Sequence, residues 1–273
     1  MVRLFGPLVG LFFAVALLWS FGNGAYTAIK EPAPATAEHE FHLHPKDVKF
    51  ASDGPFGKFD KQQLQRGFQV YKEVCSTCHS MRHVAFRDLA ELGYSEAEVK
   101  AIAKQWGTKQ PTFDEKTGER GERDNIPSDY IPVVYYAGQG VPPDLSLITK
   151  ARHNGGAYVY SLLTGYQEQP AELLKKFPDA KTPDGLYYNP YFANLNLAMP
   201  QPIASDDQVA YADGTKATVD QMSKDVAAFL IWAAEPKQDK RKQTGWAVLG
   251  FLLAATVLAY LAKKNVWADK KAA

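Results

Sequence analysis

The sequence Cys75-Ser76-Thr77-Cys78-His79 constrains this chain more than any other feature. Two cysteines separated by two residues and followed directly by a histidine are typical of a c-type haem attachment site. The spacing sets the two sulfurs about a porphyrin edge apart, and the neighbouring imidazole then lies under the centre of the ring. Neutral imidazole is a good ligand for haem iron near neutral pH. We therefore expect one haem c bound covalently at Cys75 and Cys78, with His79 as an axial ligand.

Two other interpretations of a C-x-x-C pair have to be weighed. A zinc site needs two further ligands, and because the chain has only two cysteines these would have to come from His39, His42 and His44. A redox dithiol is expected between a strand and a helix, whereas residues 62–74 have a helical pattern. A non-haem thiol or zinc protein is thus the alternative from a different class.

Length and charge limit the domain organisation. The chain has 273 residues, of which 46% are hydrophobic and 22% charged, enough for one domain of about 200 residues with additional elements. Residues 38–242 carry 25 basic and 28 acidic side chains, so the net charge of this part is about −3, although that of the whole chain is +1. This balance disfavours nucleic-acid binding and is compatible with a basic protein partner.

The N-terminal residues resemble a targeting segment. Arg3 precedes a mostly apolar run from Leu4 to Phe21, which predicts a signal peptide within residues 1–37. Ala35-Thr36-Ala37 offers a cleavage site of the small-x-small type. The run is also long enough to span a bilayer, so an uncleaved anchor is the alternative.

The C-terminal residues predict a membrane anchor. Residues 243–262 are uncharged and mostly apolar, with Trp246 and Tyr260 placed for the two interfaces. Lys263 and Lys264 follow, and by the positive-inside rule they place the tail, residues 263–273, in the cytoplasm. The haem domain, residues 38–242, is then periplasmic.

Periodicity predicts several helices around the motif. Asp60 is a candidate N-cap for a helix that carries the motif at its C-terminal end, and Ser95 with Glu98 forms a capping box for another. Further helices are expected over residues 83–92, 158–163 and 219–234, and the polar residues 107–130 predict a solvated surface loop. Pro142 and Pro143 make residues 135–147 extended and rigid, which suits the wall of a cofactor cleft, with Pro143 as a contact.

The second axial position of the haem needs a ligand if the protein transfers electrons, and a methionine thioether would raise the reduction potential. Of the four methionines, Met1 is in the leader, Met81 is two residues from His79, and Met222 lies on a helix that needs it for packing. Met199 remains, in a proline-stiffened loop at residues 196–202. We expect Met199 to be the sixth ligand.

These residues resemble cytochrome c1, the c-type haem subunit of the cytochrome bc1 complex, in its alphaproteobacterial form. The resemblance extends from about Phe56 to Trp267 and is carried by residues 66–79, 142–146, 151–153, 158–166, 198–200 and 229–236. It implies a mainly α fold: a class I cytochrome c core with loop insertions, plus one C-terminal transmembrane helix. It also implies axial His79 and Met199, and Arg152 with Tyr158 near the haem propionates.

The resemblance further implies a role as the electron-transfer subunit of ubiquinol:cytochrome c reductase. Single electrons would pass from the Rieske iron-sulfur protein to a cytochrome c, beside cytochrome b, in a dimeric complex embedded in the lipid of a bacterial inner membrane. No separate substrate chemistry is expected of the chain. The alternative within the same class is a membrane-anchored c-type cytochrome that serves another respiratory oxidoreductase.

The chain departs from the family in two respects. Some bacterial members have an additional cysteine pair before the ligand methionine, which is absent here, so we expect packing alone to hold that loop. The long N-terminal apolar run is also unusual.

Overall fold

The structure is a computed structural model that describes residues 2–31, 35–138 and 140–268. The predicted leader and the predicted cytoplasmic tail both extend beyond these residues. The fold is mainly helical, as the sequence predicts. The α-helices are α1 (Val2–Lys30), α2 (Ala37–Phe41), α3 (Lys61–Val70), α4 (Glu96–Lys104), α5 (Gly155–Leu163), α6 (Ala171–Lys176), α7 (Val219–Ala234) and α8 (Gln238–Val266). A π-helical turn spans Tyr71–Cys75, 3-10 helices span Phe86–Leu92 and Pro178–Ala180, and the strands are β1 (Gln110–Phe113), β2 (Arg120–Arg123), β3 (Tyr187–Tyr188) and β4 (Asn196–Leu197).

The chain divides into two compact units. One comprises the residues up to His42 together with Pro170–Lys181, and the other comprises Leu43–Gln169 and the residues from Thr182 onward. In the first unit, α6 is joined to α2 by an ion pair between Lys176 and Glu40 at 2.6 Å. The haem motif and the main core belong to the second unit.

Helices α3 and α7 cross at very short range in the second unit. A Cβ at Gly67 of α3 would overlap the carbonyl oxygen of Asp225 and would lie 2.7 Å from the Phe229 Cβ on α7. Glycine is therefore required for the two backbones to meet. Asp225 is fully buried and accepts hydrogen bonds from Arg66 Nε at 2.8 Å and Gln63 Nε2 at 3.0 Å. These bonds satisfy the buried carboxylate and fix the register of the crossing.

The core of this unit is built on α7 and is rich in aromatic rings. Phe229 lies 5.6 Å from Phe68, 5.7 Å from Tyr71 and 5.6 Å from Trp232, measured between ring centroids. Met222 is fully buried on the same helix, as the sequence predicts. Because Phe68 and Tyr71 lie just before the haem motif, this core positions the end of α3 directly.

The predicted helix starts are largely confirmed. The Asp60 carboxylate accepts from the amides of Gln62 and Gln63, and Ser95 and Glu98 form the reciprocal capping box. Thr218 caps α7 by accepting from the Gln221 amide at 3.0 Å. The helix predicted over residues 83–92 is a 3-10 helix that begins only at Phe86, and α5 begins at Gly155 rather than Tyr158.

The prediction of a loop throughout residues 107–130 was wrong. Strands β1 and β2 pair antiparallel within it, with Gln110 opposite Arg123 and Phe113 opposite Arg120. Every residue of β2 is exposed. The backbone hydrogen bonds of a hairpin do not require an apolar face, so the polar composition of this segment concealed the strands.

Helices α1 and α8 are long and apolar enough to cross a membrane. The most apolar 18-residue windows of Leu4–Lys30 and Gln238–Val266 have mean hydropathies of 2.1 and 2.0, and no residue of either window is buried. Helix α8 is longer than the predicted span, residues 243–262, at both ends. At the N-terminal end, the charged residues before Gln243 continue the helix. A signal sequence near the N-terminus would have the same composition as α1.

Candidate haem site

The cysteine motif lies in a tight turn at the end of α3. The amides of Cys78 and His79 both donate to the Cys75 carbonyl, at 3.1 and 2.9 Å. This turn groups Cys75, Cys78 and His79 within a single loop. Both cysteines are free thiols and partly exposed, so they are not joined by a disulfide. The arrangement leaves both sulfurs available for bonds to a cofactor.

The electrostatics of Cys75 do not suit a redox dithiol. Burial raises the pKa of this thiol to about 12, and the charge of the neighbouring Cys78 adds to the rise. Catalytic thiols of dithiol oxidoreductases have lowered pKa values instead, because the thiolate is the nucleophile. Among the described residues, no group of three or more His, Cys, Asp or Glu side chains is placed to hold a metal ion, so a zinc site lacks ligands.

His79 is oriented by the backbone of residue 143. Its Nδ1 lies 2.8 Å from the Pro143 carbonyl oxygen, and because a carbonyl can only accept, Nδ1 must carry the proton and donate. The other ring nitrogen, Nε2, then keeps its lone pair for a metal. Burial lowers the pKa of His79, against smaller opposing effects of the Pro143 hydrogen bond and the Asp144 charge, so the imidazole is neutral near neutral pH.

Residues 142–146 are held against the motif by several hydrogen bonds. The Leu145 amide donates to the Ser80 carbonyl at 2.9 Å, and Arg82 donates from both its amide and Nε to Asp144 at 3.0 and 3.1 Å. Burial opposes ionisation of Asp144, but hydrogen bonds from Ser146 and Arg82 outweigh it and lower its pKa. The sequence predicts Pro143 in a cleft wall, but it does not reveal the carbonyl that orients His79 or the Asp144 contacts that hold this segment.

Tyr71 supports the same turn from the core. Its hydroxyl donates to the His79 carbonyl at 3.1 Å, and its ring is fully buried. Burial raises its pKa, with the Cys75 and Asp144 charges adding to the effect. The hydroxyl therefore remains protonated and remains a donor. No pattern in the local sequence predicts this hydrogen bond.

Met199 lies directly after the β3–β4 hairpin. Its side chain is half-buried, and its carbonyl accepts a hydrogen bond from the Tyr166 hydroxyl at 3.0 Å. Thr182, which lies before the hairpin, donates from Oγ1 to Asn196 Oδ1 on β4 at 2.8 Å. The expectation that packing alone holds this loop was wrong, because hydrogen bonds to its backbone and side chains also hold it.

Tyr158 and Tyr166 lie near each other beside the methionine loop. Burial raises the pKa of Tyr166, and the neighbouring Tyr158 and Tyr187 hydroxyls add to the rise. Tyr158 is half-buried against the core. Tyr166 lies in a segment that carries the family resemblance, but nothing local predicts its bond to Met199, 33 residues away.

Arg152 is exposed, and its guanidinium donates to the neighbouring Ala151 carbonyl at 3.1 Å. The hydrogen bonds of the described residues thus join His79 to Pro143 and Met199 to Tyr166. They do not connect these two groups with each other or with Arg152. Whether Arg152 and Tyr158 contact a cofactor stays a prediction.

The donor set fits a c-type haem. Two unpaired thiols lie beside a neutral imidazole whose Nε2 is free to bind iron, and the thioether of Met199 is partly exposed. A histidine fixed through its other nitrogen is what a metal ligand requires.

Comparison with known proteins identifies a family and several relatives of this chain. The family described as "Cytochrome C1 family" matches residues 50–270. Cytochrome c1 of Rhodospirillum rubrum is 42% identical over 246 residues, which cover 84% of this chain and 89% of that protein. The mitochondrial "Cytochrome c1, heme protein" of Saccharomyces cerevisiae is 40% identical over 250 residues, covering 88% of this chain and 77% of the yeast protein.

A longer relative is also similar. "Cytochrome b/c1" of Bradyrhizobium diazoefficiens is 44% identical over 248 residues, which cover 82% of this chain but only 36% of that protein. This chain therefore corresponds to about a third of the longer relative. Because the family model matches residues 50–270 and these relatives are 40–44% identical over most of the chain, this chain belongs to the cytochrome c1 family.

Proposed function

We propose that this chain is the electron-transfer haem subunit of a cytochrome bc1 complex, a quinol:cytochrome c oxidoreductase. The observation that carries the proposal is the cysteine motif with His79 Nδ1 bound to the Pro143 carbonyl, within a chain of the cytochrome c1 family. The chain itself supplies no substrate chemistry.

In this proposal Cys75 and Cys78 would hold one haem c through thioether bonds, and His79 and Met199 would bind its iron. Arg152 and Tyr158 would contact its propionates, and Pro143 would line its cleft. When bound, the haem supplies one-electron exchange at its iron.

The protein's contribution is to hold this group in one state of ligation. The Pro143 carbonyl keeps Nδ1 protonated, so Nε2 stays unprotonated and able to bind a metal. The Tyr71 hydroxyl and the Cys75 carbonyl fix the turn that carries His79. Tyr166 holds the backbone of Met199 and thereby restricts where the thioether can lie. A site in which neither ligand moves needs little reorganisation on electron transfer.

The proposed partners are cytochrome b, the Rieske iron-sulfur protein as electron donor, and a cytochrome c as acceptor, in a dimeric complex. The name of the Bradyrhizobium relative, cytochrome b/c1, supports the first of these, because that longer chain contains a region similar to this one.

The proposed location is a bacterial inner membrane. Helix α8 would span it, with residues 38–242 in the periplasm and the tail from Lys263 in the cytoplasm, because Lys263 and Lys264 follow the span. Residues 1–37 would be the signal peptide that exports the domain. An uncleaved α1 is the alternative.

The test is a visible difference spectrum of purified membranes, reduced minus oxidised, together with a haem-stained denaturing gel. We expect a c-type α band and a haem-stained band at the size of this chain, less the leader if it is cleaved. Affinity purification of the chain should also recover a b-type cytochrome and a Rieske protein. Covalent haem without these partners would indicate a cytochrome of another oxidoreductase, and a colourless chain would refute the haem site.

A further inference from the structure

A loop at the N-terminal end of α8 has no part in the proposed electron transfer. The loop Asp53–Lys58 packs on the first turns of this helix and presents an aromatic side chain, Phe56, that is 77% exposed. We propose that this loop is a second membrane contact, in which Phe56 enters the phospholipid interface of the bilayer that α8 spans. The inference rests on the proposed membrane anchor and adds a lipid-binding surface to the haem domain.

The position of Phe56 relative to the membrane segment is fixed by stacking. Its ring lies 5.1 Å from that of Trp246, with an angle of 9° between the planes. Trp246 is itself 48% exposed and stands at the start of the apolar part of α8. Aromatic side chains at this level favour the headgroup region, since it accommodates an apolar ring beside polar groups. Phe56 therefore shares the depth of an interfacial tryptophan.

The loop is tied to α8 by polar contacts on both sides of the stack. Lys242 Nζ donates to the Ser52 carbonyl at 2.6 Å and to the Gly57 carbonyl at 3.3 Å. Gln238 Nε2 also donates to the Ser52 carbonyl, at 2.8 Å, and is buried. The Asp239 carboxylate accepts from the Phe59 amide at 3.2 Å. The loop thus moves with the helix.

The loop is also rigid in itself. The Asp53 carboxylate accepts from the Phe50 amide at 2.8 Å, and the Lys58 amide donates to the Ala51 carbonyl at 3.0 Å. A Cβ at Gly57 would overlap the Asp53 carbonyl, so the turn after Phe56 requires glycine. A phenyl ring held outward by a rigid turn cannot withdraw into the core.

The charges around the stack suit a phospholipid surface. Lys58 and Lys240 are exposed, whereas Arg241 is exposed but paired with Glu235. Lys240 and Arg241 lie more than one helical turn before Trp246. At 1.5 Å per residue, Lys242 stands about 6 Å from Trp246 along the helix axis. Long lysine side chains just outside an aromatic level can extend to the phosphate groups of the lipid headgroups.

Spin labelling at a single cysteine tests the proposal in the full-length holoprotein in its own membranes. Cys75 and Cys78 are the only cysteines, so with both in thioether bonds an introduced cysteine is the one labelled thiol of this chain. The variants are Phe56→Cys, Phe113→Cys as an exposed position on the β1–β2 hairpin, and Leu253→Cys in the middle of α8. Collision rates of each nitroxide with oxygen and with a water-soluble nickel chelate are compared.

We expect the oxygen-to-nickel ratio to be several-fold higher at position 56 than at position 113, and lower than at position 253. A ratio at 56 equal to that at 113 would overturn the proposal, because the loop would then lie in water. A label at 56 shielded from both reagents would also overturn it, because protein would cover the loop instead of lipid.

The label at position 253 distinguishes a failure of the loop contact from a failure of the proposed membrane anchor. If position 253 is also water-accessible, the membrane anchor fails, and the loop contact fails with it. If 253 is lipid-exposed and 56 is not, only the loop contact is wrong. The haem-stained band of each variant reports folding. Should Phe56→Cys fail to bind haem, the same measurement at the neighbouring exposed residue, Pro55→Cys, decides the question.

Discussion

The two proposed axial ligands are held in different ways. The histidine side, residues 75–83 with 142–146, is a turn continuous with α3 and secured by Tyr71, the Pro143 carbonyl and the Asp144–Arg82 pair. The methionine side, residues 166 and 187–199, is a loop after a short hairpin, and its ligand residue has one hydrogen bond from Tyr166 to its backbone. We therefore expect substitutions of neighbouring residues to disturb the position of His79 less than the position of Met199.

The largest effect is expected from the covalent attachment on the histidine side. Cys75→Ala and Cys78→Ala should each weaken or abolish stable haem attachment, because one thioether bond is lost in each. Haem staining of denaturing gels measures this directly. Thr77→Ala, between the two cysteines and exposed, is the matched control and should stain normally. Unchanged covalent haem in either cysteine variant would contradict the assignment of the motif.

Met199→Leu tests the methionine side. Loss of the thioether should lower the reduction potential and open the sixth position to added ligands such as carbon monoxide, because a thioether favours the ferrous state. A redox titration and a carbon monoxide difference spectrum measure both effects. Met222→Leu, fully buried on α7, should change neither. A native potential with no ligand binding in Met199→Leu would remove Met199 from the site.

Gly67→Ala perturbs the scaffold that carries the histidine side. The added methyl would overlap the Asp225 carbonyl, so we expect a loss of roughly 1–3 kcal/mol in the free energy of unfolding, through overpacking. Thermal or denaturant unfolding of the holoprotein measures it. Gly107→Ala is the control, because a Cβ there meets nothing within 4 Å. Equal stability of the two variants would mean that the α3–α7 crossing can relax.

The smallest effect is expected from Tyr166→Phe. Removing the hydroxyl deletes the hydrogen bond to the Met199 carbonyl, worth about 1 kcal/mol, so imidazole should displace the methionine at about fivefold lower concentration. Optical titration with imidazole provides the measurement. Tyr187→Phe, whose ring is 43% exposed, serves as the control. If both variants behave like the native protein, the methionine side is held by contacts other than Tyr166.

Local patterns predicted much of the fold. The predicted N-caps at Asp60 and Ser95 are confirmed, because each capping side chain accepts from amides only two or three residues further along the chain. The same local approach missed the β1–β2 hairpin, whose polar residues have no buried face to produce an alternating pattern.

For the site, the sequence by itself determined the cysteine motif and its histidine, because all three residues lie within one turn of chain. It also singled out Met199 as a candidate, by elimination among four methionines. Only the tertiary structure decided that the Pro143 carbonyl orients His79, 64 residues away, and that Tyr166 holds Met199. These bonds join distant segments, and their partners depend on how α3, α5 and α7 pack, which no local pattern encodes.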